Sequence, residues 1–296
     1  MTVLVTGGTG FVGPKVVHAL RAEERPVRVL ARRPDKQDQL RAWGCELVEG
    51  DMTDATSLRR AVEGCEAVVH LVALPPFADP NATQRVMEQG TRDLVAAAKE
   101  AGVGRFALMS ALGASERTKD LAAYFHAKWD EEQAVKESGL EHTIFRPSFI
   151  FGRDGGMLPA LIRLVRWSPV TPVAGTKKLQ PIWVDDVAAY FAKSLATPDA
   201  LNKTFELGGP DVVTFSELND RIRRTLGKRR LAFQIPTGLL KAGASVGQLL
   251  PPFRGAPGAI AILEHEDNVT DITPAVETFG LEPVSLDDQL RRAIAA

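Results

Sequence analysis

A chain of 296 residues is long enough for one large or two smaller domains with a substantial core. Its 45% hydrophobic and 25% charged content is ordinary for a soluble globular protein, and a formal net charge of -1 gives no electrostatic pull towards nucleic acid or an anionic membrane. Two cysteines outside any CxxC pattern, Cys45 and Cys65, predict reduced, buried thiols rather than a disulfide framework.

The N-terminal "MTVLVTGG" enters a strand at once, with no basic or apolar leader, and the expected compartment is the cytoplasm. No stretch is long and apolar enough to span a bilayer as a helix. The strand runs into "GGTGFVG" and then a helical pattern. Gly8, Gly10 and Gly13 satisfy G-x-G-x-x-G, while Gly7, Gly10 and Gly13 satisfy G-x-x-G-x-x-G. Glycines placed between a first strand and a helix permit a tight turn and close approach of a pyrophosphate to the helix N-terminus. There the N–H groups and the helix dipole offset its negative charge. A glycine-rich turn without a ligand is the plain alternative.

The second strand, "PVRVLA", leads into Arg32 and Arg33. An acidic residue at this place accepts hydrogen bonds from the adenosine ribose of NAD. Two guanidinium groups suit the 2′-phosphate of NADP instead, although Asp35 is near enough to neutralise part of their charge. NADP is therefore expected over NAD. The runs "CELVEG", "AVVHLV", "RFALMS" and "HTIFRP" continue as strands. Between them "KQDQLRAW", "ATSLRRAVEG" and "ATQRVMEQGTRDLVAAAKEAG" read as helices. This alternation of short aliphatic strands with helices predicts an α/β fold of Rossmann type, a doubly wound parallel sheet.

The helical segment "LAAYFHAKWDEEQAVKESG" follows the fifth strand and sets Tyr124 and Lys128 about one turn apart, on one face. A lysine in that position favours the phenolate and lowers the tyrosine's pKa towards a range useful for proton transfer. The alternative is an amphipathic tyrosine beside a solvated lysine on a helix surface.

From Phe151 the rhythm changes, which predicts a smaller C-terminal substrate lobe over residues 151–296, interleaved with a Rossmann domain over residues 1–150 in a single unit. One short amphipathic helix lies in "FGRDGGMLPALIRLVRWSPVTPVAGTKKLQ". Further helices lie in "VDDVAAYFAKSLAT" and "TFSELNDRIRRTLG", and strands in "KTFELGG" and "RRLAFQI". The apolar stretch 236–262, broken by prolines and glycines, is expected to line a substrate cleft or pack within the lobe. A protein partner or a membrane surface is its alternative contact. Arg153, Arg163, Arg166, Lys177 and Lys178 lie on the substrate side, either meeting a diphosphate or forming an ordinary basic outer face. Trp167 and Trp183 are expected in the core or cleft walls. The histidines form no ligand grouping, so no metal is expected, and "GKRRLAF" is too short a basic run to argue for nucleic acid.

Taken in order, "TGGTGFVG", "GDMTD", "HLVA", "YFHAK", "FRPSFIFG", "PIWVDDVA" and "FELGGP" resemble the short-chain dehydrogenase/reductase superfamily, in its extended and atypical branches, across nearly the whole chain. "LMSALGAS", "FRPSFIFG" and "LIRLVRWSPVTPV" are most similar to one atypical group. It contains an accessory subunit of respiratory complex I and bacterial proteins labelled nucleoside-diphosphate-sugar epimerases.

The resemblance implies roles by position. Thr9, Gly10, Phe11 and Val12 cradle the pyrophosphate beside Gly7 and Gly13, and Asp51 and Met52 flank the adenine. Leu71, Val72 and Ala73 pass the riboses. Lys128 holds the nicotinamide ribose and lowers the pKa of Tyr124, the general acid or base. The segment Pro147 to Ile150, with Phe149, meets the carboxamide. The superfamily's serine and asparagine fall on Ala111 and Met87, which cannot make the corresponding hydrogen bonds. Ser110 stands in for the serine if the strand end shifts by one residue. The implied protein is an NADP(H)-dependent oxidoreductase or sugar-nucleotide epimerase/dehydratase-like enzyme with an incomplete tetrad and an unidentified small-molecule substrate. The alternative is a non-catalytic NADPH-binding accessory or sensor protein.

Overall fold

Strands covered on both faces must be apolar at successive positions, and Val3–Thr6 and Ala67–His70 are buried at every residue. The computed structural model describes residues 2–76, 78–167, 177–228 and 267–295, and the backbone of 171–173 and 232–234. The chain begins β1 (Val3–Thr6), α1 (Gly13–Ala22), β2 (Val27–Ala31), α2 (Asp38–Ala42), β3 (Glu46–Glu49), α3 (Ala55–Val62), β4 (Ala67–His70). A continuous helical stretch follows, made of α4 (Pro80–Thr83), a π-helical turn over Gln84–Gln89, and α5 (Gly90–Glu100). Next come β5 (Arg105–Met109), α6 (Ala123–Glu137), β6 (His142–Pro147), β7 (Ile150–Phe151), α7 (Leu158–Trp167), β8 (Thr171–Val173), β9 (Lys178–Leu179) and β10 (Ile182–Trp183). The remaining elements are α8 (Val184–Ser194), β11 (Lys203–Leu207), β12 (Val213–Thr214), α9 (Phe215–Thr225), β13 (Ala232–Gln234), α10 (Thr273–Phe279) and α11 (Leu286–Ile294).

Seven strands form one parallel sheet in the order β3-β2-β1-β4-β5-β6-β11. This is a Rossmann-type α/β architecture. The two-residue period of a strand sends alternate side chains to opposite faces. Val3, Val5, Val29, Val69 and Phe145 therefore pack with α1 and α8, while Leu4, Leu30, Val68, Phe106 and Ile144 pack with α3 and α5. The chain winds outward in both directions from β1 and β4, which leaves a crevice beyond their C-terminal ends where ligands of such sheets bind.

Residues past the expected boundary at 150 return to this sheet. Strand β11 pairs with β6, and α8 packs on α1. Short pairs of strands, β7 with β10 and β9 with β12, stand beside the C-terminal ends of the large sheet. Helix α9 starts with a capping box, in which Thr214 and Glu217 satisfy each other's backbone N–H groups. Helix α11 is capped by Ser285 Oγ, which accepts from Asp288 N. Neither α10 nor α11 was anticipated from periodicity.

Both cysteines are free and buried. Trp183 is buried, but Trp167, expected in the core or a cleft wall, is 77% exposed at the end of α7. Its helix ends there, and the buried residues of α7 (Leu158, Ile162 and Val165) leave position 167 off the inward stripe. Among the described residues no helix is long and apolar enough to cross a membrane. The stretch 236–262, for which a partner or membrane contact was the alternative, lies outside the described residues.

Candidate active site

The crevice holds a cavity of about 960 Å³, built on the loop between β1 and α1. Two glycine spacings overlap in this loop, and packing decides between them. Gly7 has φ +75°, in the left-handed region, and a Cβ there would lie 2.9 Å from Leu71 C and Val72 N. A Cβ at Gly13 would lie 2.5 Å from Gly8 C and nearer still to Gly7 O, while Gly10 N donates to Gly7 O at 3.0 Å. Gly7, Gly10 and Gly13 thus form the turn, whereas Gly8 faces the Val29 side chain. Helix α1 has Val12 at its N-cap and no side-chain cap, with Pro14 in its first turn. Its N-terminal N–H groups are left for a ligand rather than for a serine or aspartate.

At one end of the cavity Arg32 follows β2, with its side chain 80% exposed and Nε 4.0 Å from Asp51 Oδ2. Asp51 accepts from Thr53 N and Thr53 Oγ1. Burial raises the carboxyl's pKa, but those two bonds and Arg32 outweigh it and leave Asp51 below the usual carboxylate range. Arg33 is exposed and precedes a short turn, accepting with its carbonyl from Lys36 N.

At the other end stands Tyr124, half-buried on α6. Its hydroxyl makes no hydrogen bond with any described residue. Lys128 acts in the expected direction, but the net shift of the tyrosine's pKa is upward. Burial holds Tyr124 above the ordinary phenol value, Lys128 pulls it down, and Glu131 pushes it back up. Lys128 is fully buried and donates to Met109 O at 2.8 Å, Glu131 Oε2 at 2.8 Å and Val72 O at 3.4 Å. Ser110, 2% exposed, donates to Glu132 Oε1 at 2.6 Å, so its one proton is engaged away from a substrate. Glu132 also accepts two bonds of 2.7 Å from Arg146 and one of 2.9 Å from Lys136. Burial raises this carboxyl, and Arg146, Ser110 and Lys136 together bring it below its usual range.

Every residue expected at the site lines this one cavity except Arg33 and Lys128. Among the positions where hydrogen-bonding partners were missing, Ala111 lines it. Met87 is buried in the π-helical turn, where its thioether accepts from Leu74 N at 3.3 Å. The sequence reading had no signal for Asn268, whose Oδ1 accepts from Ser148 Oγ at 2.5 Å; both residues line the cavity. Ser148 lay inside the expected Pro147 to Ile150 segment, but Asn268 is 120 residues away in sequence. Leu74, Pro75, Val86 and Met157 complete largely apolar walls.

This arrangement fits a nicotinamide dinucleotide. The loop has places that only glycine can fill, an uncapped helix start faces the cavity, and a cation and a phenol stand at its two ends. The profile of the family described as NAD(P)H-binding matches residues 7–198. The ceramide reductase of Caulobacter vibrioides is 32% identical over 246 residues, which is 82% of this chain and 77% of that protein. Subunit 9 of the NADH dehydrogenase [ubiquinone] 1 alpha subcomplex of Mus musculus is 29% identical over 298 residues, covering 96% of this chain and 77% of that one. The triphenylmethane reductase of Citrobacter sp., solved with NADP(H), shares the fold with a TM-score of 0.81 at 20% identity over 99% of this chain and 100% of that one. A glycine turn at the switch point of a parallel sheet, a YxxxK helix beside it and these likenesses agree. The chain belongs to the NAD(P)H-binding family, in the atypical branch of the short-chain dehydrogenase/reductase superfamily.

Proposed function

We propose that the protein is an NADPH-preferring oxidoreductase that reduces a carbonyl group on a largely apolar small molecule, with Tyr124 as the proton donor. The observation that carries this reading is Tyr124 itself, a cavity-lining phenol that burial keeps protonated and whose hydroxyl has no hydrogen-bond partner among the described residues. A bound nicotinamide supplies the hydride. The chain supplies the rest. Arg32 offers a guanidinium to a 2′-phosphate, the glycine loop admits the pyrophosphate, and the apolar walls exclude water from the reacting carbonyl. Tyr124 donates its proton to the carbonyl oxygen as negative charge develops there.

A second reading has a specific observation behind it. Ser110 is bonded to Glu132, Lys128 is enclosed with Glu131, and Met87 and Ala111 bring no polar group. Tyr124 acts alone, which also suits a cofactor-binding accessory protein. Loss of one oxyanion donor costs a rate factor of about 10²–10³, so a slow enzyme is expected rather than a fast one.

The test has two stages. NADPH and NADH are titrated by fluorescence against wild type and Arg32→Ala/Arg33→Ala, with NADPH binding expected to weaken about tenfold and NADH binding to be unchanged. NADPH oxidation is then followed against a panel of apolar ketones, aldehydes and quinones, with Tyr124→Phe as control. Turnover that disappears in Tyr124→Phe supports the oxidoreductase. Tight NADPH binding with no Tyr124-dependent turnover leaves the accessory reading.

A further inference from the structure

Lys128 belongs to a buried chain of polar groups that the cofactor cavity does not contain. Lys128 and Glu131 are both 0% exposed and pair at 2.8 Å. The other carboxylate oxygen, Glu131 Oε1, accepts from Thr91 Oγ1 at 3.3 Å. A threonine has one hydroxyl proton, so Thr91 Oγ1 accepts in its 2.9 Å bond with His70 Nε2. His70 is then the Nε2–H tautomer, and its Nδ1 accepts from Thr6 Oγ1 at 2.6 Å. Burial, aided by nearby Lys128, keeps His70 neutral, with its pKa pushed down to about 3.

Every donor along this chain points towards the Glu131 carboxylate. The chain also ties together the parts of the sheet that meet the cofactor. Thr6 ends β1 just before the glycine loop, His70 ends β4 just before Leu71 to Ala73, and Met109 O, held by Lys128, ends β5.

We propose that Glu131 is the positioning residue of the Tyr124/Lys128 pair: it holds the Lys128 ammonium under the cavity floor and opposes its charge at Tyr124, adding to burial in keeping the phenol protonated and able to donate. The inference rests on Tyr124 as proton donor. The groups facing the pair are Tyr124 and Lys128 from α6, Thr91 from α5, His70 from β4, and the carbonyls of Met109 and Val72. Asp130 lies beside Glu131 on α6 and is bonded to Arg92. Burial pushes Glu131 up to about 7, with Lys128 acting against it. Without the carboxylate, Lys128 is an uncompensated cation near a phenol and favours its ionised form.

The test uses the cofactor-free full chain labelled with ¹³Cζ-tyrosine, which contains only Tyr124 and Tyr190. Burial holds Tyr190 at about 12, and Tyr124→Phe assigns the two resonances. Glu131→Gln is expected to move the ionisation of Tyr124 down by about one pH unit, a tenfold rise in phenolate at a given pH. Adding Lys128→Met to Glu131→Gln is expected to abolish that shift. Circular dichroism at each pH reports whether the fold persists. An unshifted Tyr124 in folded Glu131→Gln overturns the proposal. Should Glu131→Gln not fold, wild type still decides. Its Tyr124 resonance is expected to show a step near pH 7 as Glu131 titrates, retained in the exposed-site variant His126→Gln. If the ¹³Cδ resonance of Glu131 titrates there with no accompanying step in Tyr124, the proposal is overturned too. Because the readout is ionisation rather than turnover, a correct shift with no Tyr124-dependent catalysis refutes the proposed function and leaves the positioning role standing.

Discussion

Phe11 sits within the glycine loop, and its ring is enclosed by glycines of the connection between β7 and α7. A Cβ at Gly155 would lie 2.5 Å from Phe11 Cγ and closer still to Cδ2, and one at Gly152 would lie 2.7 Å from Cε2 and Cζ. Gly155 has no left-handed φ, so its backbone accepts alanine and the collision with the ring is the whole cost. Overpacking of this kind costs roughly 1–3 kcal/mol. Replacing a glycine in a compatible conformation returns about 0.4–1 kcal/mol through the unfolded chain. The net expectation for Gly155→Ala is therefore a destabilisation of about 1–2 kcal/mol, the difference between those two effects.

The same substitution pushes Phe11 against the loop that lines the cavity, so NADPH affinity is expected to fall about tenfold, equivalent to about 1.4 kcal/mol. Urea unfolding and NADPH fluorescence titration would be run on wild type, Gly155→Ala, Phe11→Ala and the double variant. With the ring removed, the three atoms nearest the new methyl are gone. Gly155→Ala is then neutral or slightly stabilising, and the cycle shows a coupling energy of about 1–3 kcal/mol, the whole overpacking cost. An equal cost in both backgrounds, or an unchanged NADPH affinity beside the lost stability, refutes the reasoning.

Two further outcomes concern the buried polar groups. The folded pKa of His70, about 3, lies below its ordinary 6.5, so the unfolded chain takes up the proton first and stability is lost as pH falls through that window. The advantage of wild type over His70→Gln in urea unfolding should shrink by about 1.4 kcal/mol per pH unit below 6.5, and a constant difference refutes this. Glu131 has the opposite sign. Its pKa is raised from 4.5 to about 7, so its contribution is present at low pH and lost as pH rises through 7. Between 4.5 and 6.5 the two slopes oppose each other, which a pH series on both variants resolves. Finally, Glu132→Gln leaves Arg146 without its buried carboxylate and is expected to cost about 3–5 kcal/mol, read from the urea midpoint. A loss below 1 kcal/mol would mean that Arg146 finds Glu206 an adequate partner.

What the sequence by itself determined is what short-range chemistry controls. The short, continuous aliphatic runs and the helices between them specify a parallel sheet, because strands buried on both faces carry such runs. The glycine cluster at positions 7, 8, 10 and 13 is legible as a phosphate loop because it falls between a strand and a helix. Tyr124 and Lys128 fall four apart, and Arg32 follows β2; both are facts of spacing.

Tertiary structure alone decided three things, each because burial and long-range contacts set them. Two glycine spacings overlap in the sequence, and the approach of Leu71 to Gly7 selects one. Spacing puts Lys128 beside Tyr124 but does not reveal the burial that raises the tyrosine's pKa, nor Glu131, Thr91 and His70, gathered from α6, α5 and β4, which hold the lysine inward. Ser148 and Asn268 meet in the cavity wall from opposite ends of the C-terminal half, a contact with no periodicity to announce it. A side chain's position along the chain is local, whereas its charge state and partners depend on which other elements the fold packs against it.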